Sequence, residues 1–160
     1  MLKLIRTNSD NADFRMLVEL LDEVLRESDG DDHPFYDQFN KLDKIKNAVV
    51  VYSDDIPAGC GAIKEYSKDI SEIKRMYVKP DFRGQGIGKK ILTALELWAA
   101  ELNFSECILE TGKKQTDAIR LYQSAGYEVI PNYGQYAGID LSVCMKKILK
   151  PHLQKKPRDL

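Results

Sequence analysis

The sequence predicts a mixed α/β fold of the α+β kind. A mostly antiparallel central sheet of six to seven strands is flanked by about four helices, with strands four and five parallel. Three observations carry this. Residues 48–78 hold three β-type runs separated by short turns, the pattern of an antiparallel meander. Ile87, Ile91, Leu95, Trp98 and Leu102 then recur every three or four residues, the spacing of one helical face. A further apolar run, residues 106–110, follows that helix. A strand that returns after a long helix pairs in parallel with the strand before it, through a crossover.

Each element has its own signal. Residues 2–6 alternate and form a short first strand, and the polar residues 7–10 offer N-caps. Phe14, Leu17, Val18, Leu21, Val24 and Leu25 mark an amphipathic helix that ends near Ser28. Asp29, Gly30, Asp31 and Asp32 break it, and Pro34 suits the first turn of a shorter helix with Phe35, Phe39 and Leu42 on one side. Strands at 48–52 and 58–66 flank a turn, and Gly59 and Gly61 in the second allow close packing. A second turn at 67–69 leads into the strand 70–78. The long helix covers 86–102, the fifth strand 106–110, and a further helix 115–125 has Gly126 as its left-handed stop. Residues 127–130 and 140–147 give the last two strands, joined by a loop at 131–138 that carries Tyr133 and Tyr136. The chain reads as one domain, residues 1–149, followed by a basic tail at 150–160 expected to be flexible.

Composition narrows the class. With 43% hydrophobic and 31% charged residues, the chain has the balance of a soluble globular domain, and 160 residues can bury a real core. A formal net charge of -1 gives no basic footprint, so no nucleic-acid partner is expected. The first residues, Met1 to Thr7, have neither an apolar leader core nor a cleavage site, and no stretch reaches about 18 apolar residues, so no membrane partner is expected. Cys60, Cys107 and Cys144 lie far apart in apolar contexts and read as small buried hydrophobes; an unbridged set suits a reducing cytoplasm. The two histidines, His33 and His152, and the cysteines show no ligand spacing, so no metal is expected.

The chemistry sits between the fourth strand and the long helix, in Pro80-Asp81-Phe82-Arg83-Gly84-Gln85-Gly86-Ile87-Gly88-Lys89-Lys90. A helix start carries unpaired backbone N–H groups and the positive end of the helix dipole. Glycines let an anion approach those donors because no Cβ stands in the way. The segment suits a phosphate or pyrophosphate. A P-loop is excluded, because Gly88-Lys89 is followed by Lys90 and Arg83 stands where the first glycine belongs. A dinucleotide fingerprint is excluded too: Lys89 occupies the third glycine position, and Glu110, the nearest downstream acid, lies too far on.

What remains is Arg83-x-x-Gly86-x-Gly88 after a Val-x-Pro strand end. It resembles the acyl-CoA loop of the GNAT superfamily of N-acetyltransferases. Residues 72–78 resemble that family's fourth strand and 107–111 its fifth. Ala118-Ile119-x-Leu121-Tyr122-x-x-x-Gly126-Tyr127 resembles the helix and turn that follow. The specific motifs cover the second half of the chain, and the first half matches by element order.

The resemblance implies a GNAT-like sheet with strands four and five splayed. It implies transfer of an acetyl group from acetyl-CoA to a primary amine of a small molecule, amino acid or peptide, by direct attack in a ternary complex. Backbone N–H groups of Arg83, Gly84, Gln85, Gly86, Ile87, Gly88 and Lys89 would hold the pyrophosphate. The side chains of Arg83, Lys89 and Lys90 would add charge there or stand as solvated surface. Met76, Tyr77 and Val78 would present main-chain groups to the pantetheine arm. Gln115 stands where the family often has an asparagine touching CoA.

Tyr122 matches the family's general acid for the leaving thiolate, its plain alternative being a core aromatic beside Ile119. Glu72 aligns with the glutamate that some members use as general base, or is a strand-edge carboxylate paired with a lysine or arginine; Glu110 is a second candidate. His33, Tyr36, Tyr133 and Tyr136, with Phe35, would line the acceptor pocket or form a satellite core under the loops. Asp29, Asp31, Asp32 and His33 would attract a cationic amine, or form a solvated turn. A non-catalytic acyl-CoA-binding or regulatory module is the alternative function, and a nucleotide-binding protein the third. The edge offered by the last strands is compatible with a homodimer.

Overall fold

Asp54 and Asp55 both take positive φ, 48° and 70°, between β2 (Asn47–Ser53) and β3 (Ile56–Ser67). Two consecutive residues of that conformation make a two-residue hairpin turn whose twist matches the flanking strands. The computed structural model that shows this describes residues 1–29 and 44–151. The turn at Lys68 and Asp69 leads from β3 into β4 (Ile70–Val78), and β1 (Leu2–Thr7) pairs antiparallel with β2, Leu4 opposite Val51. After β4 come α2 (Ile87–Glu101), β5 (Glu106–Gly112), α3 (Thr116–Ser124), β6 (Glu128–Ile130) and β7 (Ser142–Ile148), with α1 (Ala12–Asp29) between β1 and β2.

The strands hydrogen-bond in the order β1-β2-β3-β4-β5-β7-β6. β4 and β5 are parallel, as the helical crossover requires, and β7 pairs antiparallel with both β5 and β6. The parallel pairing sets Ile70, Ser71 and Glu72 against Glu106, Cys107 and Ile108. Residues 73–78 of β4 and 109–112 of β5 lie outside it, as the resemblance to a splayed pair implies. Three α-helices are present among the described residues. The fourth predicted helix, with His33, Pro34, Tyr36 and the acidic run from Asp31, lies outside them, as does the tail from His152 onward.

The cap of α1 differs from the sequence expectation in detail. Asn11, one residue past the polar stretch, accepts the Phe14 N–H on its side-chain oxygen at 2.8 Å, while Asn8 uses its own side chain to accept the Asp10 N–H. Both asparagines satisfy donors that the chain entry into a helix leaves open.

The chain divides into two compact units, Met1–Ala62 with Arg75–Ile91, and Ile63–Lys74 with Leu92–Leu160. In the first, Phe14, Leu17 and Val18 from α1 bury against Ala48 and Val50 of β2, Cys60 and Ala62 of β3 and Tyr77 of β4. Gly59 explains how α2 begins so close to the sheet. A Cβ there would lie 2.9 Å from the Tyr77 carbonyl oxygen and 3.1 and 3.3 Å from the Ile91 and Ile87 side chains. In the second unit Leu95, Ala99, Cys107, Leu109 and Met145 are fully or almost fully buried. The three cysteines are free and buried.

Candidate active site

The glycine-rich turn belongs to the first unit. Pro80–Phe82 form one 3-10 turn, after which Gly84 and Gly86 adopt φ of 80° and 79°. Left-handed backbone costs a residue with a Cβ roughly 1–2 kcal/mol, so the turn needs glycine at both points for conformation. Space is not the reason, since nothing lies within 4 Å of an added Cβ at either position. Gly86 caps α2: its carbonyl accepts the Lys90 N–H at 3.1 Å. The N–H groups of Ile87, Gly88 and Lys89 therefore open the helix without intrahelical partners. The Ile87 side chain is buried and anchors the start, while Arg83, Gly84, Gln85, Gly86, Lys89 and Lys90 are exposed. The result is a fixed, outward-facing set of backbone donors at the positive end of a helix, and it fits a diphosphate.

Arg83 does more than supply charge. Its Nε donates to the Val78 carbonyl oxygen at 2.9 Å, and its guanidinium carbon stands 5.8 Å from the Tyr77 ring centre. The side chain ties the turn back to the end of β4. Met76 and Val78 are half-buried and Tyr77 is buried; burial pushes the Tyr77 phenol up, the nearby arginine partly offsetting this.

β4 holds one strained residue upstream. Arg75 has φ 60° in mid-strand, and its buried guanidinium donates to Asp22 of α1 at 3.0 Å. Its carbonyl accepts the Cys60 thiol at 3.3 Å. The sequence reading missed this kink, which is paired from 53 residues away.

The second unit gathers a different set. Glu72, only 6% exposed, accepts the Tyr133 hydroxyl on Oε2 at 2.7 Å, with Lys74 Nζ 4.0 Å from the same oxygen. Tyr133 meets Tyr66 and Tyr136 edge to face, at 5.2 and 5.7 Å between ring centres. Its loop is pinned by Asn132, whose Nδ2 donates to the Ile139 and Ser142 carbonyls at 2.9 and 3.2 Å. Glu110 on β5 accepts the Ser142 hydroxyl at 2.7 Å. Tyr122, on α3, is 6% exposed and lies edge-on to Tyr127 at 5.9 Å.

Burial pushes all three phenols, Tyr122, Tyr133 and Tyr136, well above the ordinary range. The negative charge of Glu110 adds to this at Tyr122, that of Glu72 at Tyr133, and both at Tyr136. One unit thus holds two carboxylates and three protonated phenols, each phenol within electrostatic reach of at least one of the carboxylates, an arrangement suited to moving and holding protons.

Of the residues singled out in the sequence, Glu72, Tyr133 and Tyr136 are brought together, while Tyr122 lies within reach of the Glu110 charge; Tyr136 is 2% exposed. Gln115 sits at the N-cap of α3 without a side-chain capping bond. His33 and Tyr36 lie outside the described residues. Sequence reasoning missed Tyr66, Asn132, Lys74 and Ser142; only the polar and aromatic residues of the loop hinted at such a network. Among the described residues no three side chains gather as a metal site, and no helix is long and apolar enough to cross a membrane.

Comparison with known proteins adds four findings. The family model for the GNAT acetyltransferases matches residues 14–127. The chain is similar to an indicated IAA acetyltransferase of Azospirillum brasilense, 38% identical over 92 residues, which is 57% of this chain and 60% of that protein. It is also similar to an uncharacterised N-acetyltransferase of Escherichia coli K12, 36% identical over 84 residues, 51% and 50% of the two chains. The matched stretch thus spans half to three-fifths of these curated relatives. A crystal structure from Klebsiella pneumoniae assigned as an acyl-CoA N-acyltransferase superposes with a TM-score of 0.79 at 30% identity, over 94% of this chain and 99% of the other.

Proposed function

Because the chain belongs to the GNAT acetyltransferase family, we propose that it moves an acetyl group from acetyl-CoA to a primary amine of a small molecule, amino acid or peptide, by direct attack in a ternary complex. The observation that carries this reading is the exposed turn from Arg83 to Gly86, whose two left-handed glycines lead into the open N–H groups of Ile87, Gly88 and Lys89. These donors hold the diphosphate of CoA, and each charge–dipole contact contributes roughly 0.3–1 kcal/mol when exposed. Met76 and Tyr77 offer main-chain groups to the pantetheine arm. The Val78 carbonyl is engaged by Arg83, so that residue acts by locking the strand end.

Glu72 takes a proton from the incoming ammonium, leaving a neutral amine to attack the thioester carbonyl. Tyr122 gives its proton to the departing thiolate. Burial raises its phenol above the ordinary range, so the donor form persists to higher pH than in an exposed tyrosine. The carboxylates Glu72 and Glu110 favour a cationic acceptor, and Tyr133 faces it. A cytoplasmic setting is part of the proposal, supported by three free, buried thiols.

A panel of primary amines, amino acids and peptide ends, read by release of free CoA thiol, tests the activity. Turnover with one or more amines is expected, with Glu72→Gln slowing it at least tenfold. CoA binding without turnover on any amine would favour a binding module. Calorimetric binding of ATP or NAD without CoA would overturn the assignment.

A further inference from the structure

We propose that Tyr133 is a positioning residue for Glu72: its hydroxyl occupies Oε2 and presents Oε1 alone as the oxygen that takes the substrate proton. This rests on Glu72 acting as the base. The geometry that points to it is one-sided. Oε2 receives the Tyr133 hydroxyl at 2.7 Å and has Lys74 Nζ at 4.0 Å, so both of these contacts fall on the same oxygen. In the proton transfer an N–H bond of the ammonium breaks, an O–H bond forms at Oε1, and the amine keeps the electron pair.

Tyr133 is itself held against swinging away. Tyr66 and Tyr136 pack on its ring from two sides. Gly134, at φ 52°, lets the loop pass so close to Tyr66 that a Cβ there would lie 3.3 Å from its hydroxyl. The two Asn132 bonds fix the backbone on the other side. A loop tyrosine so braced sets the orientation of the carboxylate in advance, which is how a supporting contact reduces the reorganisation a reaction must otherwise supply.

The charged and titratable groups that face Glu72 are Lys74 from β4, Tyr133 and Tyr136 from the loop, and Cys144 from β7; Glu110 on β5 acts on the same Tyr136 and Cys144. Removing the Tyr133 hydroxyl takes away a charge-assisted donor and leaves the carboxylate free to rotate.

The test reads turnover in the thiol-release assay with an amine that the wild type acetylates. Tyr133→Phe should lower kcat about tenfold with the amine KM near wild type, and should lower it no further in a Glu72→Gln background. Should Tyr133→Phe not fold, 4-aminophenylalanine at position 133, a weaker donor of nearly the same shape, should lower kcat without moving KM. Wild-type kcat in the variant that folds, or a fully additive loss in the double variant, would overturn the positioning role. Failure of the base reading shows up separately: Glu72→Gln alone would then turn over like wild type.

Discussion

At the scale of single residues, burial and pairing decide what each group can do. Tyr122 is pushed up first by desolvation and then by the charge of Glu110. A raised phenol remains protonated to higher pH, so its donor form is kept and the alkaline limb of activity moves upward. Tyr122→Phe should lower turnover more than tenfold while CoA affinity stays near wild type. In wild type, turnover should persist through the ordinary tyrosine range near pH ~10; equal turnover in the two proteins rejects the acid role. Arg75 tests a different balance. Its guanidinium is buried with Asp22 as partner, and its φ of 60° is strained for a residue with a side chain. Asp22→Ala removes the partner that stands 3.0 Å from that buried guanidinium and should cost about 3 kcal/mol in urea unfolding. A loss under about 0.5 kcal/mol, the size of an ordinary surface change, would mean the pair contributes little.

At the scale of elements, two glycines at the two ends of one contact separate space from conformation. Gly59→Ala brings a methyl to 2.9 Å from the Tyr77 carbonyl oxygen. Backbone cannot move aside cheaply, so β4 must shift at Tyr77 and the Ile87 and Ile91 side chains of α2 must give way; we expect about 1–3 kcal/mol of destabilisation and weaker CoA binding together. Gly86→Ala meets nothing within 4 Å but must hold φ 79°. It should cost only about 1–2 kcal/mol, and mainly where the turn must keep its shape, in CoA affinity measured by calorimetry. If both variants bind CoA like wild type, the turn is not the diphosphate site. The element pattern itself was readable. The strands, α2 and α3 carry their own periodicity, and Gly126, with φ 98°, ends α3 where a left-handed stop was expected.

At the scale of the molecule, binding that favours the folded chain raises its stability by mass action. At a hundred times its dissociation constant, acetyl-CoA should add about 2.7 kcal/mol. For a domain of this length that is roughly 5–10 °C in melting temperature. ATP at the same concentration should leave it unchanged, and the reverse result would remove the acyl-CoA reading. The site residues were unevenly legible for a physical reason. The glycine-rich turn is local: its glycines and helix cap lie within a few residues of one another. Glu72 and Tyr133 are 61 residues apart, and Arg75 and Asp22 are 53 apart. No periodicity announces such pairs, because what buries a charge in mid-strand is a partner that the chain supplies from elsewhere.

The amino-acid order alone determined the succession of strands and helices, the parallel crossover from β4 to β5, and the glycine-rich turn that opens α2, since each follows from spacing, backbone freedom and capping over short stretches. Folding decided the rest: which oxygen of Glu72 is tied, that Arg83 locks a strand end, that Tyr136 is buried while Tyr133 reaches the carboxylate. Those outcomes depend on distances between segments remote along the chain, and such distances exist only once the segments have packed.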